Sequence, residues 1–157
     1  MWYMRPVTVS TDVRQPPEQV YDFLDVMANH ELFTRHYLTD WRYSGAPRGV
    51  GSCATVTAVL GGRKTDVVVE VVEAEAPRRI VERNTGVDGR RRGRGVYVVE
   101  PLPGGGSRVS FTYSWLAAPL ADRLMAPLVR TVMRRANRQA MRLLAAELAG
   151  RAAPAES

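Results

Sequence analysis

The sequence predicts an α+β fold: a seven-stranded antiparallel sheet wrapped around one long C-terminal helix, with two short helices after the first strand. Three observations predict it. Residues 119–149 read as a single amphipathic helix, allowing a short turn before Pro127. Between residues 37 and 116 lie six runs rich in Val, Thr, Tyr and Trp, divided by short Gly- or Pro-bearing turns. The chain opens on an alternating strand followed at once by helical spacing.

In order, Val7, Val9, Thr11 and Val13 alternate with Thr8, Ser10 and Asp12, the pattern of a half-buried strand. Pro16 and Pro17 end it. Val20, Tyr21, Phe23, Leu24 and Met27 then recur at helical spacing behind Glu18, which suits the positive end of a helix. Asn29 is expected to cap a second, short helix that stops near His36. The six runs that follow are 37–44, 52–60, 65–75, 79–85, 95–102 and 108–116, and their short connections imply an antiparallel meander. In the last helix Leu128, Val129, Val132, Met133, Ala136, Ala140, Leu144 and Leu148 share one face. Arg130, Arg134, Arg138 and Arg142 form a basic stripe on the other, expected to be solvated. At about 1.5 Å per residue the part after Pro127 is roughly 33 Å long, so it needs a broad surface to lie on. Gly150 is expected to end it, with 151–157 a disordered tail after a single domain over 1–150.

With 157 residues the chain can bury a core and enclose a ligand. It carries no bilayer-length apolar run and no signal-like start, and Cys53 is its single cysteine, so a cytoplasmic protein without stable membrane insertion is expected. The formal charge is +6, but Lys64 is the one lysine among 22 basic residues, a skew that a GC-rich coding sequence produces unaided.

The chain resembles the START-like (SRPBCC) superfamily with its helix-grip fold, and within it the polyketide cyclase/dehydrase branch. The residues that carry the resemblance are 17–24 (PEQVYDFL) at the first helix, 49–52 (GVGS) before the third strand, and 105–111 (GGSRVSF) opening the last. It spans about residues 5–149 and rests on turn and packing positions. The resemblance implies a deep cavity between the concave sheet and the long helix, in which members bind apolar molecules such as lipids, sterols and polyketides. Some members are aromatase/cyclases acting on a chain held by an acyl carrier protein; others are carriers or sensors. Fold does not choose between these.

Alternation proposes the cavity wall. Val109, Phe111, Tyr113 and Trp115 share a face of the last strand; Tyr97 is assigned inward on the strand before it; Trp41 and Tyr43 share a face of the second strand; and the facing of 53–60 stays open. Asn137 looks from the helix towards the sheet. The candidate ligand contacts are thus Trp41, Tyr43, Tyr97, Phe111, Tyr113, Trp115 and Asn137, though an inward aromatic stripe is also what an ordinary core looks like. Ile80, if inward, brings Glu82 with it. A buried Glu82 would favour its neutral form and is the candidate general acid; the alternatives are an ion pair with Arg79, Arg83 or an arginine of a neighbouring strand, or a strand irregularity that turns it to solvent.

His30, His36 and Cys53 do not make a metal-ligating or nucleophilic set at these spacings, and no phosphate-binding loop is present, so no cofactor or metal is expected. The run 90–94 (RRRGR) lacks the interleaved aromatics that nucleic-acid binding wants; an acidic carrier protein, an anionic membrane surface or plain solvation suits it better. The expectation is a protein that binds an apolar or polycyclic, lipid-like or polyketide-like small molecule. The alternative is a cyclase, aromatase or dehydratase with an acyl carrier protein as partner.

Overall fold

The computed structural model describes residues 3–151. In chain order the elements are β1 (Val7–Val13), α1 (Pro17–Asp25), a 3-10 turn (Met27–Asn29), α2 (His30–Thr34), β2 (Leu38–Gly45), β3 (Ser52–Leu60), β4 (Arg63–Glu75), β5 (Arg79–Gly86), β6 (Arg92–Pro101), β7 (Ser107–Ala117), α3 (Leu120–Leu124) and α4 (Ala126–Arg151). The sheet runs β1-β7-β6-β5-β4-β3-β2. Every neighbour is antiparallel, from hairpin to hairpin, and β1 closes the series by pairing along β7 from Val7↔Tyr113 to Val13↔Ser107. This is the seven-stranded antiparallel sheet that the alternation and the turn chemistry predict, in the helix-grip arrangement that the resemblance implies.

Pro17 at the first turn of α1 costs no hydrogen bond there, and Val20, Tyr21, Phe23 and Leu24 are carried into the core. Asn29 does not cap α2. Its backbone is already helical, because the 3-10 turn runs directly into α2, and its amide donates instead to the Phe23 carbonyl at 2.9 Å.

The buried face of α4 is Ala136, Asn137, Ala140, Met141, Leu144 and Leu148. Gly150 does not stop the helix, which continues to Arg151. The last turn is held by tertiary contacts that outweigh the glycine: Leu148 is buried, its carbonyl accepts from Gln15 Nε2 at 2.6 Å, and the Arg151 guanidinium lies 4.8 Å from the centre of the Phe23 ring. The remainder of the expected tail, 152–157, lies outside the described residues. Of the basic stripe, Arg130 is not simply solvated: it donates to the carbonyls of Arg5 and Pro6 at 3.0 and 3.3 Å and so ties α4 to the start of β1.

The facing of β3 is settled by its burial, with Ser52, Ala54, Val56 and Ala58 inward. Among the described residues the sheet has three irregularities, one of them between Arg92 and Gly93 of β6 where it pairs with β7. In β2 the register shifts between Thr39 and Arg42, with Asp40 in the left-handed region at φ 54°. In β4 it shifts between Val71 and Glu73, opposite Val81 and Glu82.

Candidate functional site

Glu82 is the centre of the site. On β5 it shares a face with Ile80 and Asn84, and it is 6% exposed. Its neighbouring arginines point elsewhere, Arg83 to Glu70 at 2.7 Å and Arg79 to Glu73 at 3.1 Å, so the ion-pair alternative is not realised. Gly95 stands directly opposite Glu82 on β6, and opposite Tyr113 on β7. A Cβ at Gly95 would lie 2.9 Å from Glu82 Oε1 and 2.9 Å from the Phe111 ring. A Cβ at Gly93 would collide with the Tyr113 hydroxyl. Two glycines at alternate positions thus clear the floor on which Glu82 and Tyr113 lie.

Burial pushes the Glu82 carboxyl up to about 7, against a smaller opposing effect of the Asn84 amide. Near neutral pH the group therefore exists in both forms. Tyr37, Tyr97 and Tyr113 are displaced upward, first by burial and then by the negative charge that Glu82 can carry; Tyr113 reaches about 12. All three remain hydroxyl donors at any physiological pH. Tyr37 donates to Asn137 Oδ1 at 3.3 Å, and the adjacent His36 ring pairs with the Ala136 carbonyl at 2.8 Å, which fixes the segment after α2 against α4.

Among the described residues four buried polar atoms around Glu82 and Asn137 have no hydrogen-bond partner, Trp41 Nε1, Glu82 Oε2, Asn84 Oδ1 and Asn137 Nδ2; a fifth, Ser52 Oγ, lies at the start of β3. Buried polar groups are nearly always satisfied, and each orphan costs about 1–3 kcal/mol. Together the first four offer two N–H donors, an amide acceptor and a carboxyl that serves as either.

The other sequence-predicted residues divide by depth. Phe111 and Tyr97 are fully buried, with ring centroids 4.6 Å apart, and Tyr97 packs edge-on to His30 and Phe33. Tyr113 and Trp115 continue the same face of β7 but are only partly buried, in edge contact at 5.1 Å. On α4 the inward residues Asn137, Ala140, Met141, Leu144 and Leu148 are buried, whereas Met133, Val132 and Val129 are partly exposed. Burial of the inner face is thus complete next to α1 and incomplete beyond Glu82 and Asn137, towards α3. Trp41 and Tyr43 share a face, stacked at 5.8 Å, but Tyr43 is 46% exposed on the edge strand and its hydroxyl is taken by Glu31 at 2.5 Å. Tyr43 stands at the rim.

Sequence reasoning missed Tyr37, Asn84, Gly93 and Gly95. The glycines carried a signal, since small residues at alternate positions of a strand mark space on one face.

Elsewhere, His30 is buried against the Leu24 carbonyl at 2.7 Å, and burial holds its ring below the ordinary value, so it packs as a neutral core residue. A hollow of about 330 Å³ between α1 and the end of α4, bordered by Gln15, Asp22, Arg48 and Arg151, is remote from Glu82. Among the described residues no group of three or more His, Cys, Asp or Glu is placed to hold a metal, and no helix is long and apolar enough to cross a membrane.

Solved structures with the same fold are distant in sequence. The Zhui aromatase/cyclase from Streptomyces superposes with a TM-score of 0.77 at 16% identity, covering 98% of each chain. A Thermus thermophilus protein gives 0.76 at 20% identity over 95% of this chain and 100% of its own. A START superfamily protein from Mycobacterium smegmatis gives 0.72 at 9% identity over 92% and 97%. No curated protein sequence matches the chain. The family described as polyketide cyclase/dehydrase and lipid transport matches residues 4–149, and to that family this chain belongs.

Proposed function

We propose that the protein binds an apolar, partly aromatic small molecule carrying at least one hydrogen-bonding oxygen, in the part of the interior between Glu82 and Asn137. The observation that carries this reading is the set of unpartnered buried polar atoms on Trp41, Glu82, Asn84 and Asn137. An oxygen of a bound molecule would accept from the Asn137 amide or the Trp41 ring N–H, or share a proton with Glu82, while Tyr113 and Trp115 flank its apolar body. Native mass spectrometry of the protein as purified, followed by denaturation and identification of what is released, tests it. The expected result is a stoichiometric apolar compound whose retention falls in Asn137→Leu. A protein that is empty, and whose tryptophan fluorescence does not respond to naphthol as probe, would refute it.

A second reading, a cyclase or dehydratase acting on a carrier-bound chain, is favoured by one observation, the carboxyl of Glu82 held at about 7. A group poised there can give and take a proton near neutrality, and a pocket that folds the chain adds proximity. Turnover of a carrier-bound polyketide chain that is lost in Glu82→Gln with the fold intact would select this reading.

A further inference from the structure

One end of the molecule is unlike the rest. It is built by the β3–β4 turn, the β5–β6 turn, the end of β7, α3 and the start of α4. These segments are joined: Asp122 of α3 receives the Arg91 guanidinium in a two-point contact at 2.8 and 3.1 Å, and Arg63 approaches it at 3.6 Å. Among the described residues nine large apolar side chains are exposed, and six of them lie here: Val87, Leu116, Leu120, Leu124, Met125 and Leu128, each 51–73% exposed. Leu120 and Leu124 are four apart on α3 and so share a face.

The same segments concentrate charge. Residues 60–64, 86–92 and 116–130 hold seven of the 22 basic residues and two of the 16 acidic ones. An excess of five of the formal +6 therefore sits at this end, and the remainder of the chain is almost balanced. The asymmetry is not a matter of arginine-rich composition, because elsewhere carboxylates nearly equal the basic residues in number and several pair with them, as in Arg83–Glu70, Arg48–Asp25 and Arg108–Asp12.

We infer that this end docks on an anionic lipid bilayer. Leucine, methionine and valine project from three separate chain segments, as suits shallow insertion at the boundary between headgroups and acyl chains. The arginines around them have stems long enough to reach phosphates while their alkyl parts stay among the apolar groups. An acidic protein surface would satisfy the arginines but leave the leucines facing polar groups.

Sedimentation with vesicles, without any pocket ligand, tests the docking independently of the pocket. Vesicles of phosphatidylcholine alone are compared with equal parts phosphatidylcholine and phosphatidylglycerol. The expected result is binding at least about tenfold tighter to the anionic vesicles, weakened by added salt. The double change Leu120→Asp with Leu124→Asp abolishes it, with an unchanged circular dichroism spectrum because both side chains are already in solvent. Arg90→Gln together with Arg92→Gln lowers it, and Val50→Asp, exposed at the opposite end of the sheet, leaves it intact. Equal binding to both vesicle types, no binding to either, undiminished binding of the double leucine variant, or binding to an acidic carrier protein in place of vesicles would each overturn the inference.

Discussion

Replacing Glu82 by Gln isolates the energetic cost of keeping a carboxyl inside the sheet. The folded protein holds this group at about 7 against an ordinary 4.5. Between those values the folded form keeps a proton that the unfolded chain has released. Stability is therefore highest below 4.5 on account of this group, falls as pH rises, and reaches its full loss above 7. At about 1.4 kcal/mol per tenfold change, that loss is about 3 kcal/mol. Gln has nearly the shape of the neutral acid and cannot ionise. At pH 4 the variant should nearly match the wild type, and at pH 8 it should be more stable by about 3 kcal/mol, or roughly 6–12 °C in Tm for a domain of this size. Calorimetry of both proteins across that range gives the difference directly. Groups common to both cancel, including His30, whose burial makes stability fall towards acid, and the three tyrosines, which stay neutral throughout. Parallel pH profiles for the two proteins would refute the picture of an uncompensated buried carboxyl.

Two further perturbations probe how the site is built. Gly95→Ala places a methyl group against Glu82 Oε1 and the Phe111 ring and should cost about 1–3 kcal/mol in urea denaturation; an unchanged midpoint would mean that the floor is not close-packed. Asp122→Ala removes the carboxylate that receives Arg91 and should raise hydrogen exchange in α3 by at least about tenfold, since such charged hydrogen bonds contribute about 1.5–3 kcal/mol. Unchanged protection of α3 would show that it is held by other contacts.

The fold was legible because each of its determinants is local. Period-two alternation in β1 and β7, turn glycines between the middle strands and an apolar stripe on α4 each fix an element without reference to anything distant. The errors came where distant contacts win. Gly150 is a natural helix stop, yet the Gln15 side chain bonded to the Leu148 carbonyl and Arg151 against Phe23 carry the helix past it. Asn29 is a natural cap, yet the preceding turn leaves it helical and its amide turns to Phe23.

The site shows the same division more sharply. Sequence alone put Glu82 on the inner face, because Ile80 two residues earlier had to be there. It also aligned Phe111, Tyr113 and Trp115. It could not say that Arg79 and Arg83 would find partners on β4, which leaves Glu82 without an arginine, since that depends on the register of two strands. Nor could it say where along the helix the packing gives out. Phe111 and Tyr113 occupy equivalent positions in the strand pattern, but one meets Tyr97 in a filled core and the other lies over Gly93 and is only partly buried. Alternation determines which face a side chain is on; the volume of what stands opposite, known only from the assembled sheet and helix, decides whether that face is core or binding wall.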